Sequence, residues 1–582
     1  MSKDAVGKYS AASVRRVAGL ALLSVAMAGG GVDAQGVGGT LASPSAIAGE
    51  PVHEPFPWPV DHRKSADAAI REGRHGDTIR ELGFVLAKNP DDGRALLDRA
   101  RAFSKTGNFA GASEDANRLI ELHPTRAVGY SRRAQNQLDR QRPDLALADC
   151  HRAISLEPRG GFNYYHRGLA YQARKDDVLA LADFDHAQVL GYHDVEFAAR
   201  RAWSLATLGK HDRAIADYTE AMRLSPSESR FHCNRGNSYV ALGDYDRAIA
   251  DFTAYIHAQP NECNGYLNRA NAYARKKENA KALADVTESL RLKPDFGPSL
   301  TFRGMILASM GDHEKSDEDL VRASKIDPDV ALPAIFRALL AAKGKDLPNA
   351  LKTCDELVKT HPKMAIVFLI RGMVRGGAED WPGGLADIDR AIQLQPDFAE
   401  AYLFRGVAHR AMKDVDAVID DASRAIQLDP KNPAAFLSRG EALEQEGEHD
   451  RAIADFTRAI DLIGGAPRTL SANIPAIKTS AEPYKELVTF HVTACDLYHL
   501  RAKAHLAKDD LDRALADADQ LVLHAAKNKG WSSAAYRYRA TVHKRRGETQ
   551  AAVADARKAL ELAEGDELRA GAKKILEELG AK

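Results

Sequence analysis

The sequence lacks any pair of cysteines close enough to grip a metal or form a redox couple. Its five cysteines, Cys150, Cys233, Cys263, Cys354 and Cys495, are scattered over 582 residues with no CxxC. An odd, dispersed set excludes a disulfide scaffold and a thiolate zinc site. Nor is either charge in excess, because 81 Lys and Arg balance 81 Asp and Glu. Binders of nucleic acid carry a basic surplus for the phosphates, so that partner is excluded. The 20 histidines contain no HExxH and no ligand-like clustering, so no metal site is expected. Phosphate loops, GxGxxG on a strand, the GxSxG elbow and the kinase motifs are all missing, and no catalytic residue or cofactor is expected. What is present is a hydrophobic fraction of 45%, ordinary for a folded protein.

The first residues carry a targeting pattern. Lys3, Lys8, Arg15 and Arg16 precede an apolar stretch from Val17 to Ala28. That is shorter than the about twenty residues a membrane helix needs. Small-residue cleavage patterns follow, Val32-Asp33-Ala34 before Gln35 or Ala26-Met27-Ala28 before Gly29. Residues 1–34 therefore read as a secretory signal peptide, with an uncleaved anchor as the competing reading. Its removal leaves a chain with no integral membrane span, expected in a bacterial periplasm or secreted. Residues 35–58, rich in Gly, Pro and Ala, read as a tether.

A period of 34 runs through the rest. Prolines recur from Pro90 to Pro430 at gaps of 34, with one position taken by Tyr192. Counting each unit from 31 residues before its proline places twelve repeats over 59–466. Arginine stands at repeat position 7 from Arg99 to Arg439, and aspartate at position 23 from Asp115 to Asp455, with Thr353 the one gap. The same marks return displaced, as Arg501 with Asp517 and Arg539 with Asp555, giving two further repeats over 495–564. An insertion, 467–494, separates them from the first twelve. Residues 565–582 hold an amphipathic stretch, DELRAGAKKILEELG, that reads as a capping helix and tail.

Each unit reads as two antiparallel helices, A and B. In repeat 6, Phe231 to Tyr239 lie in helix A, Gly243-Asp244-Tyr245 makes the turn, and helix B runs through Ile249, Phe252 and Ile256 to Pro260. Apolar residues at positions 4 and 11 flank a small residue at 8, giving one stripe per helix. A single pair cannot bury that stripe, so neighbours must stack. Proline at position 32 ends helix B because its ring clashes with the preceding turn.

The pattern resembles the tetratricopeptide repeat family over about residues 59–564, in units of the style NRGxxYxxLGDYxxAIxDFxxAI. The resemblance implies an all-α, right-handed superhelical solenoid of about 14 units. It also implies that positions 2, 5, 6, 9, 12 and 13 of helix A line a concave groove for peptides or proteins. Local departures are Ser65 for the arginine of repeat 1, Thr353 for an aspartate, and Gly376-Gly377 near the turn of repeat 10.

The Arg and Asp ladders read as structural, pairing within or between repeats, because they recur together while groove positions vary. Asn234, Asn237, Asn268 and Asn271 stand at positions 6 and 9 of repeats 6 and 7. Amide side chains both donate to and accept from an extended backbone, so these are candidate peptide contacts. In repeats 8 to 11, positions 5 and 9 become Thr301 and Met305, Ile335 and Leu339, Leu369 and Met373, Leu403 and Val407. Seven apolar side chains on one wall exceed what a monomer normally leaves bare. A partner's apolar segment, a second copy in a homo-oligomer, or the protein's own insertion or tether is expected to cover them. The sequence thus points to an exported protein-interaction scaffold. The alternatives are a self-assembling envelope protein and, more remotely, a small-molecule or enzymatic role.

Overall fold

The computed structural model describes residues 61–464, 468–471, 489–525, 529–563 and 565–581. The signal peptide expected at 1–34 and the tether at 35–58 lie outside the described residues. Among those described are 29 helices, which in chain order make fourteen A/B pairs and one last helix. The chain is an all-α solenoid whose consecutive helices pack on one another. It divides into two compact units, described here over 61–272 and 273–581.

Repeat 6 shows why the local sequence folds this way. Helix A spans Arg230–Ala241 and helix B Tyr245–Ala258. Gly243 between them takes φ +79, a left-handed conformation that needs no Cβ. Asp244 then caps helix B by accepting from the Arg247 backbone N–H. Repeats 9, 10 and 11 make the same turn with Lys345, Glu379 and Lys413 at φ +64, +65 and +66. Each of those side chains stores roughly 1–2 kcal/mol of backbone strain that a glycine would not.

The pair closes on a ring. Phe184, Phe252 and Phe456, at position 24, are wholly buried. They sit against glycines at position 8, where an added Cβ would lie 2.5 Å from the ring at Gly168 and 2.7 Å at Gly236 and Gly440. Helices A and B can approach this closely only because the glycine has no side chain. Burying one such ring contributes roughly 1.5–3 kcal/mol.

The ladders pair as the sequence implies. Nε and Nη2 of Arg99, Arg133, Arg167, Arg235, Arg303 and Arg439 each reach one carboxylate 16 residues on, at 2.7–2.9 Å. Arg201, Arg371, Arg405, Arg501 and Arg539 make the same link. The third guanidinium nitrogen crosses to the preceding repeat, as from Arg235 to Thr219 at 3.0 Å and from Arg371 to Asp355 at 2.8 Å. Where Thr353 replaces the aspartate, Arg337 turns back to Asp317 at 2.8 Å. The ladder therefore fastens most hairpins and, at rungs such as Arg235 and Arg371, the seam to the preceding repeat.

The insertion contains structure that the sequence reading did not foresee. β1 (Arg468–Ser471) pairs antiparallel with β2 (Thr489–Val492), Arg468 opposite Val492 and Ser471 opposite Thr489. β2 lies beside the Pro433–Gln445 helix of repeat 12. Thr493 and Asp496 then form a capping box that starts the Ala494–Ala507 helix. The last helix, Asp566–Glu578, packs on both helices of repeat 14 through Ala572, Ile575 and Leu576 and turns charged residues outward. Among the described residues, no helix is long and apolar enough to cross a membrane.

Candidate functional site

Adjacent A helices touch along the stack, and that contact decides which side chains stay accessible. Position 5 is consumed by it. Ser131 donates to the Asn163 side chain of the next A helix. Asn268 donates to Cys233 Sγ at 3.3 Å. Leu403 shares a core with Ala434 and Ala435 of the following A helix, with Leu437 packed against it. Position 5 is thus a seam between repeats and not an open groove position.

This corrects the expected apolar wall. Ile335, Leu369 and Leu403, all at position 5, are buried, as are Met305 and Leu339 at position 9. Thr301 is buried too and donates to the Gly297 carbonyl at 2.8 Å. Met373 and Val407 are half-buried. A wall of seven bare apolar side chains is not what these residues form. They belong to A helices that are apolar nearly all round and therefore sit inside.

The four asparagines divide. Asn268 and Asn271 are 5% and 4% exposed, with Asn268 committed to Cys233. Asn234 and Asn237 are half-buried.

Position 9 of repeats 2 to 6 forms an accessible row that was not expected from the sequence. Arg101 and Trp203 are exposed there, and Gln135, Leu169 and Asn237 are half-buried. Trp203 leaves 37% of its surface to solvent. A large ring at a position held by Arg101, Gln135 and Asn237 in other repeats of the unit was the available signal.

Below this row lies a rigid polar and aromatic layer. His166 is 2% exposed and bonds the Gln135 side chain, and burial pushes its imidazole down to about 3, so it is neutral at pH 7. Phe162 rests on the same ring at 4.0 Å, and Tyr165 stacks on Tyr192 at 5.0 Å. The Gln172 amide donates to the Arg200 carbonyl at 3.1 Å and the Ser204 hydroxyl at 2.9 Å. Arg132 is pushed down to about 10, first by burial and then by Arg101 beside it. Such a layer holds the row in place without offering a reactive group. Three buried thiols are poor nucleophiles as well: burial pushes Cys150 and Cys354 up to about 12 and Cys233 up to about 11. Among the described residues, no group of three His, Cys, Asp or Glu side chains is placed to hold a metal.

Comparison with known proteins agrees with the architecture. A family model described as tetratricopeptide repeat matches residues 63–127, 199–262, 233–295, 371–433 and 419–467, and a second model of that description matches 298–330. Hsp70-Hsp90 organizing protein 2 of Arabidopsis thaliana is 31% identical over 87 residues, 15% of this chain and 15% of that protein. U-box domain-containing protein 70 of Oryza sativa subsp. japonica is 31% identical over 87 residues, 15% of this chain and 11% of its own length. The match thus spans less than a sixth of these relatives. Among solved structures, yeast Tom70 aligns with a TM-score of 0.41 at 15% identity, over 78% of this chain and 96% of that one.

Proposed function

The chain belongs to the tetratricopeptide repeat family, and from that premise we propose that it is a protein-interaction scaffold gripping an extended segment along position 9 of its A helices. The observation that carries this reading is Trp203, exposed between half-buried Leu169 and Asn237 on a rigid layer. Tryptophan is enriched among the few residues that carry most of the energy of protein binding. Asn237, with Asn234 beside it, supplies amides that satisfy a passing backbone whatever its side chains. The relatives named as Hsp70-Hsp90 organizing proteins support a protein ligand. No catalytic step is proposed. Self-association through the apolar residues of repeats 8 to 11 loses its support, because five of those seven side chains are buried.

Site-specific photocrosslinking in the source cell tests this reading. A benzoylphenylalanine at position 203 is expected to trap another protein, whereas one at exposed Met412, in a turn, is not. Equal trapping from both positions, or none from 203, would overturn it.

Export is part of the same proposal and rests on the basic and apolar residues before Gln35. Protein from the native envelope fraction is expected to begin near Gln35 or Gly29. Recovery of chains that still begin at Met1 from the cytoplasm would contradict it.

A further inference from the structure

Two features set the Arg303 rung apart from most of the ladder. Arg303 holds Asp319 with Nε and Nη2 at 2.7 and 2.8 Å. Its Nη1 meets no acceptor among the described residues. Elsewhere that nitrogen crosses the seam, at 3.0 Å from Arg235 to Thr219, 3.1 Å from Arg269 to Thr253 and 3.0 Å from Arg501 to Thr457. Thr287 stands in the matching place before Arg303 and, like Thr219, Thr253 and Thr457, donates to the carbonyl four residues back at 2.7 Å, yet it receives nothing from the arginine.

The second difference is a missing ring. A ring lies over the ladder guanidinium in many repeats, from position 4 as Tyr164 over Arg167 at 5.4 Å, Tyr402 over Arg405 at 5.3 Å and Tyr536 over Arg539 at 5.5 Å, or from elsewhere as Phe103 over Arg99 at 5.6 Å and Phe197 over Arg201 at 5.2 Å. Repeat 8 has Leu300 there, which is too short to reach across the arginine. The room left is a cleft of about 240 Å³, floored by Leu290 and Leu300 and bordered by Thr287 and Arg303. Arg291 and Arg322 complete its rim. Arg291 pairs with Glu288 at 2.8 Å and Arg322 with Asp295 at 2.6 Å, both at the surface, where such pairs exchange partners easily.

We infer that this cleft is a binding site for an aromatic carboxylate. The ring lies over the Arg303 guanidinium, where other repeats place their own Tyr or Phe, and rests on Pro294 and the edge of Leu290. The carboxylate accepts from Arg303 Nη1 and draws in Arg291 or Arg322, a charge-assisted contact of the kind guanidinium groups make best. A free aromatic acid and the C-terminal Phe or Tyr of a protein chain share this chemistry. The site is separate from the position 9 row and does not depend on it.

Fluorine NMR of the full-length chain titrated with 4-fluorophenylacetate and with N-acetyl-4-fluorophenylalanine tests the assignment. At least one acid is expected to bind at or below about 20 mM, the range of a weak single-site ligand. Tighter binding of the N-acetyl amino acid identifies a chain end as the natural source, and tighter binding of the arylacetate identifies a free acid. The uncharged 4-fluorophenylacetamide is expected to bind at least about tenfold more weakly, and a competing cyclohexylacetate about threefold more weakly than phenylacetate, the share of the cation–π contact. Leu300→Tyr brings in the ring of the other repeats and is expected to abolish binding while the chain stays folded, with a lowered melting temperature because Leu300 is wholly buried. The exposed double change Arg291→Gln with Arg322→Gln is expected to weaken binding by at least about threefold whether or not Leu300→Tyr folds. Equal binding of acid and amide, undiminished binding by the double variant or by folded Leu300→Tyr, or no binding of either acid would overturn the assignment.

Discussion

Arg501 donates from Nη1 to the Thr457 hydroxyl at 3.0 Å, 44 residues back along the chain. In unbroken repeats the same link spans 16 residues, as from Arg235 to Thr219. The insertion is therefore spliced between repeats 12 and 13 without opening their seam, and the ladder is the device that keeps it shut. Arg501→Ala strands the Asp517 carboxylate, 6% exposed, and is expected to cost about 3–5 kcal/mol. Thr457→Val removes the seam bond together with the hydroxyl's own bond to the Ile453 carbonyl at 2.7 Å, and is expected to cost no more than about 1.5–3 kcal/mol. Urea titration of both variants and of Arg501→Ala with Asp517→Ala checks this, and the double change is expected to cost less than the sum of its parts.

Repeat 9 offers the converse test. Thr353 occupies the aspartate position, is 2% exposed and bonds the Asn349 carbonyl at 3.0 Å, while Arg337 makes do with Asp317. Thr353→Asp recreates the usual partner for Arg337 and is expected to change stability by less than about 1 kcal/mol. In an Arg337→Ala background the same change buries an unpaired charge and is expected to destabilise by about 3–5 kcal/mol. Equal effects in the two backgrounds would mean that Arg337 cannot return to the ladder.

Two glycines at the same repeat position should respond oppositely to one added methyl. At Gly440 a Cβ would lie 2.7 Å from the Phe456 ring, whereas at Gly406 its nearest neighbour is Asp421 Cβ at 3.7 Å. Position 24 opposite Gly406 is Ala422. Gly440→Ala is expected to lose about 1–3 kcal/mol to overpacking, and Gly406→Ala to gain up to about 1 kcal/mol from helix propensity. Thermal melts of the two variants decide it.

His166 makes the first unit sensitive to acid. Its folded value of about 3 lies below the ordinary 6.5, so the unfolded chain binds the extra proton between those limits. Stability is full above about pH 6.5 and falls as pH drops toward 3. His499 in the second unit, pushed down to about 4 by burial, acts in the same direction. Replacing His166 by Gln is expected to flatten the melting temperature against pH between 7 and 4.5 relative to the parent. An unchanged slope would show that His166 is solvated.

The hairpin, its turn and the ladders were legible because each depends on residues a fixed distance apart. Gly243, Phe252 with Gly236, and Arg235 with Asp251 can all be found by counting. What could not be counted is how closely one A helix approaches the next. That distance takes Leu369 and Leu403 out of an expected groove and leaves Trp203 exposed. The pairing of Arg468–Ser471 with Thr489–Val492 was hidden for a related reason: four-residue strands separated along the chain show no readable alternation.

The most direct measurement is calorimetric affinity of peptides, selected from a random library on the full chain, for the parent and for Trp203→Ala. The expected result is a loss of at least about tenfold in affinity, roughly 1.4 kcal/mol, with the melting curve unchanged. Peptides that bind Trp203→Ala as tightly as the parent would contradict the position 9 row as the binding face.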